Sequence, residues 1–92
     1  MFTWLNKQAV RSSEGFEVHF LNRWEAQYRE GMRVRTIPIE PGSIAGRPAI
    51  LFNKDVFESW DNSSIANSSS EQHRLLNNFV RALRFQGLET EY

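Results

Sequence analysis

A Glu-Gly dipeptide that occurs twice constrains the fold of this chain more than any other feature. It stands at Glu14-Gly15 and again at Glu30-Gly31, so the two glycines are 16 residues apart (31 minus 15). Glycine takes positive φ without steric cost, and each glycine therefore fits the left-handed third position of a three-residue hairpin loop. The repeat predicts two similar β-hairpins that follow one another along the chain.

Loops at residues 13–15 and 29–31 also predict a strand register. In the first hairpin Val10 opposes Val18, and in the second Glu25 opposes Arg35. A turn at residues 21–23 joins the hairpins. Because side chains alternate between the faces of a strand, one inner row and one charged outer face follow. The inner row is Val10, Val18, Ala26 and Val34. The charged outer residues are Arg11, Glu17, His19, Glu25, Arg33 and Arg35.

The apolar alternation changes phase after residue 36. Ile37 and Ile39 occupy odd positions, whereas the preceding inward positions are even. A bulge or strand break near Pro38 is expected to absorb this change. Residues 41–48, which carry two prolines and two glycines, are predicted to be a loop, and residues 49–52 a short fifth strand.

From residue 53 onwards the pattern becomes helical. Asn53 is a candidate cap for a short helix, since Val56, Phe57 and Trp60 recur on one helical face. That face is expected to pack on the sheet.

A second, longer helix is predicted to begin at a capping box. The box is formed either by Ser68 with Glu71 or by Ser69 with Gln72. Its apolar stripe is Leu75, Leu76, Phe79, Val80 and Leu83, and Gly87 is expected to end it.

The whole chain is predicted to be a single domain over residues 1–92. A β-meander covers residues 8–52, a helical half covers 53–86, and residues 88–92 are a candidate for a last edge strand. The fold class is α+β: an antiparallel β-meander of four to six strands, with a short helix and a longer C-terminal helix packed on one face.

Charge and composition exclude several functional classes. Eleven basic residues balance eleven acidic ones, so no global field attracts nucleic acid or an anionic membrane. No cysteine is present, which excludes disulfides, thiolate metal sites and a cysteine nucleophile. No apolar run approaches the length of a membrane span. We therefore expect a cytoplasmic protein without a nucleic-acid or membrane partner.

Catalytic and cofactor motifs are not recognisable. His19 and His73 are the only histidines, and neither stands at a metal-ligand spacing. Gly42 and Gly46 do not belong to a phosphate-binding loop. The expectation is a non-enzymatic chain with no catalytic residue, no metal and no cofactor.

Arginine outnumbers lysine by nine to two, and arginine is the cation enriched at protein interfaces. Two surfaces are therefore candidates for binding another protein: the outer sheet face and the polar face of the second helix. Phe85 falls on that polar face, so it either packs on the C-terminal strand or marks an interface. The candidate protein-binding residues are Arg11, Glu17, Glu25, Arg33, Arg35, Arg74, Arg81, Arg84 and Phe85.

The stretch FESWDNSS at residues 57–64, together with the chain size and the α+β layout, resembles the small immunity proteins of bacterial polymorphic toxin systems. The resemblance implies a cytosolic, antitoxin-like protein that binds and blocks one toxin domain. Two alternatives stay open. One is a small-molecule binding domain or enzyme with a site between loops 41–48 and 61–70. The other is a homodimer formed through an exposed strand edge.

Overall fold

The computed structural model describes all 92 residues. It contains eight strands and one helix, joined by turns and loops. Strands β1 to β5 form an antiparallel meander in sequence order, and β6, β7 and β8 form a second sheet in which β8 runs parallel to β7. The predicted α+β class and an antiparallel meander are confirmed. The meander covers residues 2–38 and not 8–52, because β1 was not predicted and the strand predicted at residues 49–52 belongs to the second sheet. The elements are β1 (Phe2–Asn6), β2 (Ala9–Ser12), β3 (Phe16–Asn22), β4 (Glu25–Glu30), β5 (Arg33–Pro38), β6 (Glu40–Ile44), β7 (Arg47–Leu51), α1 (Ser69–Phe85) and β8 (Glu89–Glu91).

The first hairpin has the predicted register. Val10 opposes Val18 and Arg11 opposes Glu17. Gly15 has a φ of +98°, as the left-handed loop position requires.

The register between β3 and β4 differs from the prediction by two residues. Val18 opposes Tyr28, and Ala26 opposes Phe20. An even shift leaves every side chain on its predicted face, so Ala26 stays buried. The predicted inner row is nevertheless wrong, because Ala26 and Val34 do not line up with Val18.

The register between β4 and β5 differs by three residues. Glu25 opposes Pro38 and not Arg35, since 38 minus 35 is 3. The cause is a turn of only two residues, Gly31 at φ +62° and the fully exposed Met32. An odd shift transfers every β5 side chain to the opposite face of the sheet.

This transfer explains the phase change without a bulge at Pro38. Arg33, Arg35 and Ile37 all lie on the face that carries the helix, and Ile37 is completely buried there. Odd positions point inward along the whole of β5. The placement of Arg33 and Arg35 on the outer face is therefore wrong.

Residues 41–48 are not a loop but most of the β6–β7 hairpin. Its two-residue turn is Ala45 at φ +52° followed by Gly46 at φ +79°. Two successive left-handed residues suit the right-handed twist of paired strands, and Gly46 supplies the second at no steric cost.

The predicted short helix is absent, and residues 54–57 form turns that are followed by a bend at residues 58–59. The amide of Val56 donates to the Asn53 carbonyl three residues earlier, at 3.1 Å. The Val56 carbonyl accepts from Arg35 at 2.6 Å, and the Phe57 carbonyl accepts from Asn67 at 3.0 Å. These side chains occupy acceptors that a helix would need, and a helical turn this short is costly to nucleate. Val56 and Phe57 are still buried, as predicted.

Helix α1 has the predicted ends. Ser68 is the N-cap, and its hydroxyl accepts from the Glu71 amide at 3.2 Å. At the other end Gly87 has a φ of +81°, and the Leu88 amide donates to the Leu83 carbonyl at 3.0 Å. This 6→1 bond is the Schellman stop. The chain then enters β8, which confirms the last strand.

The core lies between sheet A, formed by β1 to β5, and α1. Leu75, Phe79 and Leu83 of the helix are completely buried against it. Phe16 stacks on Tyr28 with centroids 5.3 Å apart, and Tyr28 meets the edge of Phe57 at 5.4 Å. One face of sheet A is therefore covered, and the other, which we call the outer face, carries no helix.

Candidate functional site

The two Glu-Gly dipeptides attach the helix to the sheet. Arg81 donates two hydrogen bonds to the Glu14 carboxylate, both 2.9 Å long. Arg74 donates two to Glu30, at 2.9 and 2.7 Å. The arginines stand seven residues apart (81 minus 74), about 10.5 Å along a helix. The hairpin tips are two strand spacings apart, about 9.6 Å. The spacing of the repeat thus matches two turns of a helix that crosses the strands.

A buried hydrogen-bond chain links these two ion pairs. The Tyr28 hydroxyl donates to Glu30 at 2.9 Å and accepts from the Asn78 amide at 3.0 Å. Arg81 donates to the side-chain oxygen of Asn78, Oδ1, at 2.7 Å. The hydrogen bonds from Arg74 hold the pKa of Glu30 below its usual value, and burial raises the pKa of Tyr28.

Two of the three helix arginines predicted to contact a partner, Arg74 and Arg81, thus form ion pairs within the chain. Arg74 also bonds Glu71, with Nε 2.8 Å from its carboxylate. Arg74 and Arg81 stabilise the packing of α1 on the sheet, whereas Arg84 stays exposed in the last turn. Because the matching carboxylates lie 44 and 67 residues away in sequence, helical periodicity alone did not reveal these contacts.

Phe85 packs on the first strand and not on the C-terminal strand. Its ring centroid lies 5.4 Å from that of Phe2 and 5.8 Å from that of Trp4. The expectation of packing on the C-terminal strand was wrong because α1 crosses the sheet towards β1, which carries its last turn to that edge. Phe85 remains partly exposed.

Arg33 and Arg35 are held on the helix side of the sheet. The Arg33 guanidinium lies 4.6 Å from the centre of the Trp60 ring and 2.9 Å from Glu30. Arg35 bonds the Val56 carbonyl and lies 3.6 Å from Asp61. Neither belongs to the outer face.

Asp61 closes the free edge of β5. Its amide donates to the Val34 carbonyl at 2.8 Å, and its carboxylate accepts from the Thr36 amide at 3.0 and 3.1 Å. The Thr36 hydroxyl also donates to it, at 2.6 Å. The Trp-Asp part of the FESWDNSS stretch therefore has a structural role, since it packs on the core and caps a strand edge.

The outer face combines two predicted residues with one that the sequence reasoning missed. Arg11 opposes Glu17, and Glu17 opposes Arg29 across the next strand pair. Arg11 Nε donates to Glu17 at 3.0 Å, and His19 Nε2 lies 2.7 Å from the same carboxylate. Arg29 was assigned to a loop. The two-residue Gly31-Met32 turn extends β4 to include Arg29, and the two-residue register difference between β3 and β4 brings it opposite Glu17.

A groove of about 360 Å³ lies on this face between the two hairpins. We call it the hairpin groove. Gly15 and Gly31 border open space, since a Cβ added at either position would meet no atom within 4 Å. Its lining residues are Arg11, Ser12, Gly15, Phe16, Glu17, Arg29 and Gly31.

The charges of the hairpin groove are unequal. The hydrogen bonds from His19 and then Arg11 lower the pKa of Glu17, so the carboxylate is ionised near neutral pH. Arg29 donates through Nε to the neutral amide of Gln27, at 2.7 Å. Arg11 is paired with Glu17, whereas Arg29 is paired with no carboxylate. The two guanidinium groups and the one carboxylate that line the groove give it a net charge of +1.

Glu25, another predicted contact residue, remains exposed at the start of β4. Its carboxylate accepts from the Asn22 amide at 3.0 Å. It lies at the opposite end of the strand from the hairpin groove.

Four further surface cavities have volumes of about 520 to 600 Å³. Neither these four nor the hairpin groove combines residues from 41–48 with residues from 61–70. No group of three or more His, Cys, Asp or Glu side chains is arranged to hold a metal ion. Helix α1 is too short and too polar to cross a membrane.

No protein-family model, curated protein or solved structure matches this chain.

Proposed function

We propose that this chain is a small, non-enzymatic protein-binding domain that contacts its partner through the outer face of sheet A. One observation carries the proposal: Arg11 and Arg29 flank a single ionised carboxylate in an open groove on an uncovered sheet. An acidic side chain of the partner is the chemical group that this arrangement fits.

The geometry favours a carboxylate over other anions such as phosphate. Arginine binds carboxylates through a planar fork of N–H donors, and such bidentate pairs are both stronger and more directional than point-charge contacts. Arg29 has donors that are free of any carboxylate, and its Nε is fixed by Gln27. Glu17 disfavours a multiply charged phosphate in the same groove, because like charges within a few ångströms repel.

The supporting surface is rigid. The three strands that carry Arg11, Glu17 and Arg29 are central in the meander, and their inner residues are buried in the core. A partner therefore meets side chains whose backbone is already ordered, which lowers the entropic cost of binding.

Within this function we propose the toxin-neutralising role that the resemblance of residues 57–64 implies. The supporting features are the small size, the α+β layout and a binding surface of mixed charge. Such a protein acts in the bacterial cytoplasm by binding one toxin domain and blocking it.

The test compares two double variants with the same change in charge. The groove variant is Arg11→Glu with Arg29→Glu, and the control is Arg47→Glu with Arg84→Glu, two exposed arginines outside the outer face. Each folded variant is used for affinity capture from the native cells, and bound proteins are quantified by mass spectrometry. The groove variant should lose the proteins that the wild type captures, and the control should retain them.

Equal capture by the groove variant and the wild type would overturn the outer-face proposal. The toxin-neutralising role has its own test. The captured protein is expressed in a bacterial host with the wild type or with the groove variant. Growth that the wild type restores and the groove variant does not is the expected result, whereas a captured protein that does not impair growth contradicts this role.

A further inference from the structure

The two edge strands of sheet A, β5 and β1, differ in the contacts that cover their free backbone groups. The β5 edge is closed by Asp61, which occupies both the Val34 carbonyl and the Thr36 amide. No comparable contact covers β1, where residues 3–6 are all exposed. A shallow cavity of about 520 Å³ lies beside this strand, lined by Trp4, Asn6 and Lys7.

The pairing of β1 with β2 shows which backbone groups are free. The Ser13 amide donates to the Met1 carbonyl at 2.8 Å, so residues 1 and 13 form a hydrogen-bonded pair. Bonded and non-bonded pairs alternate in an antiparallel ladder, which makes Thr3 and Arg11 the next bonded pair. Phe2 and Trp4 therefore direct their N–H and C=O groups away from β2, towards solvent.

The free strand has little of the usual protection of an edge. Natural sheets protect open edges with charged residues, proline or β-bulges. Phe2–Asn6 contains no charge and no proline, and its one irregularity, a register shift between Trp4 and Asn6, lies after the Phe2 and Trp4 groups that face solvent. Trp4 is 48% exposed, and the adjoining Phe85 is 42% exposed. A partner strand for this edge must itself be uncharged and must tolerate an exposed aromatic side chain opposite it.

We propose that β1 pairs with β1 of a second copy of this chain, antiparallel and centred on Trp4. The two Trp4 residues then exchange N–H···O=C bonds, at the last regular position of β1 before the register shift at Leu5. The strand thus meets both requirements by pairing with itself, and the two five-stranded sheets join into one of ten strands.

The two-fold axis of such a pair is perpendicular to the sheet. Both helices therefore lie on one side, together with the Trp4 and Phe85 rings of both copies. Both outer faces lie on the other side and stay accessible, so the dimer presents two hairpin grooves in one direction. This inference does not depend on the proposed function.

The test is sedimentation velocity of the full chain from micromolar to near-millimolar concentration. Wild type is expected to approach twice the 10.8 kDa of one chain. Trp4→Lys should remain monomeric, because it places two like charges on the axis. Trp24→Lys is the matched control, since Trp24 is 56% exposed in the turn between β3 and β4, and it should dimerise like the wild type.

Hydrogen exchange of the wild type gives a second measurement that does not require a folded Trp4→Lys variant. The Phe2 and Trp4 amides should exchange more slowly in concentrated than in dilute protein. A wild type that is monomeric at every concentration would overturn the proposal, as would a Trp4→Lys variant that still dimerises. Protection of these two amides only by a different protein, without self-association, would assign the edge to that protein's strand and overturn the self-pairing.

Discussion

Glu30 should contribute more to the free energy of unfolding than Glu14, the carboxylate at the other hairpin tip. Its carboxylate accepts hydrogen bonds from Tyr28, Arg33 and Arg74 at 2.7 to 2.9 Å, and its side chain is only 17% exposed. Glu30→Gln keeps the shape but removes the charge and turns an N–H₂ donor towards other donors. A hydrogen bond to a charged group is worth about 1.5–3 kcal/mol net. Because Arg74 retains Glu71, we expect a loss of about 2 kcal/mol.

The assay is urea unfolding at pH 7, supported by thermal melting. For a domain of this size a loss of about 2 kcal/mol lowers Tm by roughly 8–16 °C. Glu14→Gln is the matched control, because Glu14 belongs to the same dipeptide and also binds one arginine through two bonds, yet is 53% exposed. Exposed ion pairs are weak because water screens them, so its effect should be clearly smaller. A loss at Glu14 equal to that at Glu30 would refute the reasoning.

The stability difference between wild type and Glu30→Gln should also depend on pH. The pKa of Glu30 is depressed in the folded state, chiefly by the hydrogen bonds from Arg74, relative to the ordinary value of 4.5. A depressed carboxyl pKa stabilises the fold fully above the unfolded pKa, and this contribution is lost as pH falls through the folded pKa. The difference in unfolding free energy between wild type and Glu30→Gln should therefore be constant above about pH 5 and shrink in acid. A difference that stays constant down to pH 2 would contradict this account.

Three further substitutions test other parts of the structure by urea unfolding. Gly87→Ala should cost about 1 kcal/mol from backbone strain alone, because φ is +81° and a Cβ there meets no atom; an unchanged midpoint would count against the left-handed cap. Asp61→Ala should cost about 1–3 kcal/mol and speed hydrogen exchange at the Thr36 amide, which loses its acceptor; unaltered exchange at that amide would show that the β5 edge is closed in another way. Phe79→Ala should cost about 3–5 kcal/mol, because the ring is completely buried between Phe52 and Phe57; a loss below about 1 kcal/mol would contradict this packing.

Only part of the candidate site could be predicted from the sequence. Arg11 and Glu17 were placed correctly because the first Glu-Gly hairpin has the loop length that its glycine predicts. Arg33 was misplaced because the second glycine supports a two-residue turn as readily as a three-residue loop. Arg29 was missed because the same turn lengthens β4 and because the β3–β4 register also differs from the prediction. In a strand, a register error of an odd number of residues exchanges the two faces. The misjudged turn between β4 and β5 therefore changed which residues were assigned to the outer face.

The sequence alone determined the elements whose signals are local. The first Glu-Gly hairpin, the Ser68 cap, the Gly87 stop and the apolar stripe of α1 follow from residue conformational preference and periodicity, which need no distant partner. Tertiary structure decided which charges are free. Glu14 and Glu30 recur as a local turn motif, but they serve Arg81 and Arg74 across the core. Such pairs depend on the crossing angle of helix and sheet, a property of the packed whole that no local pattern encodes.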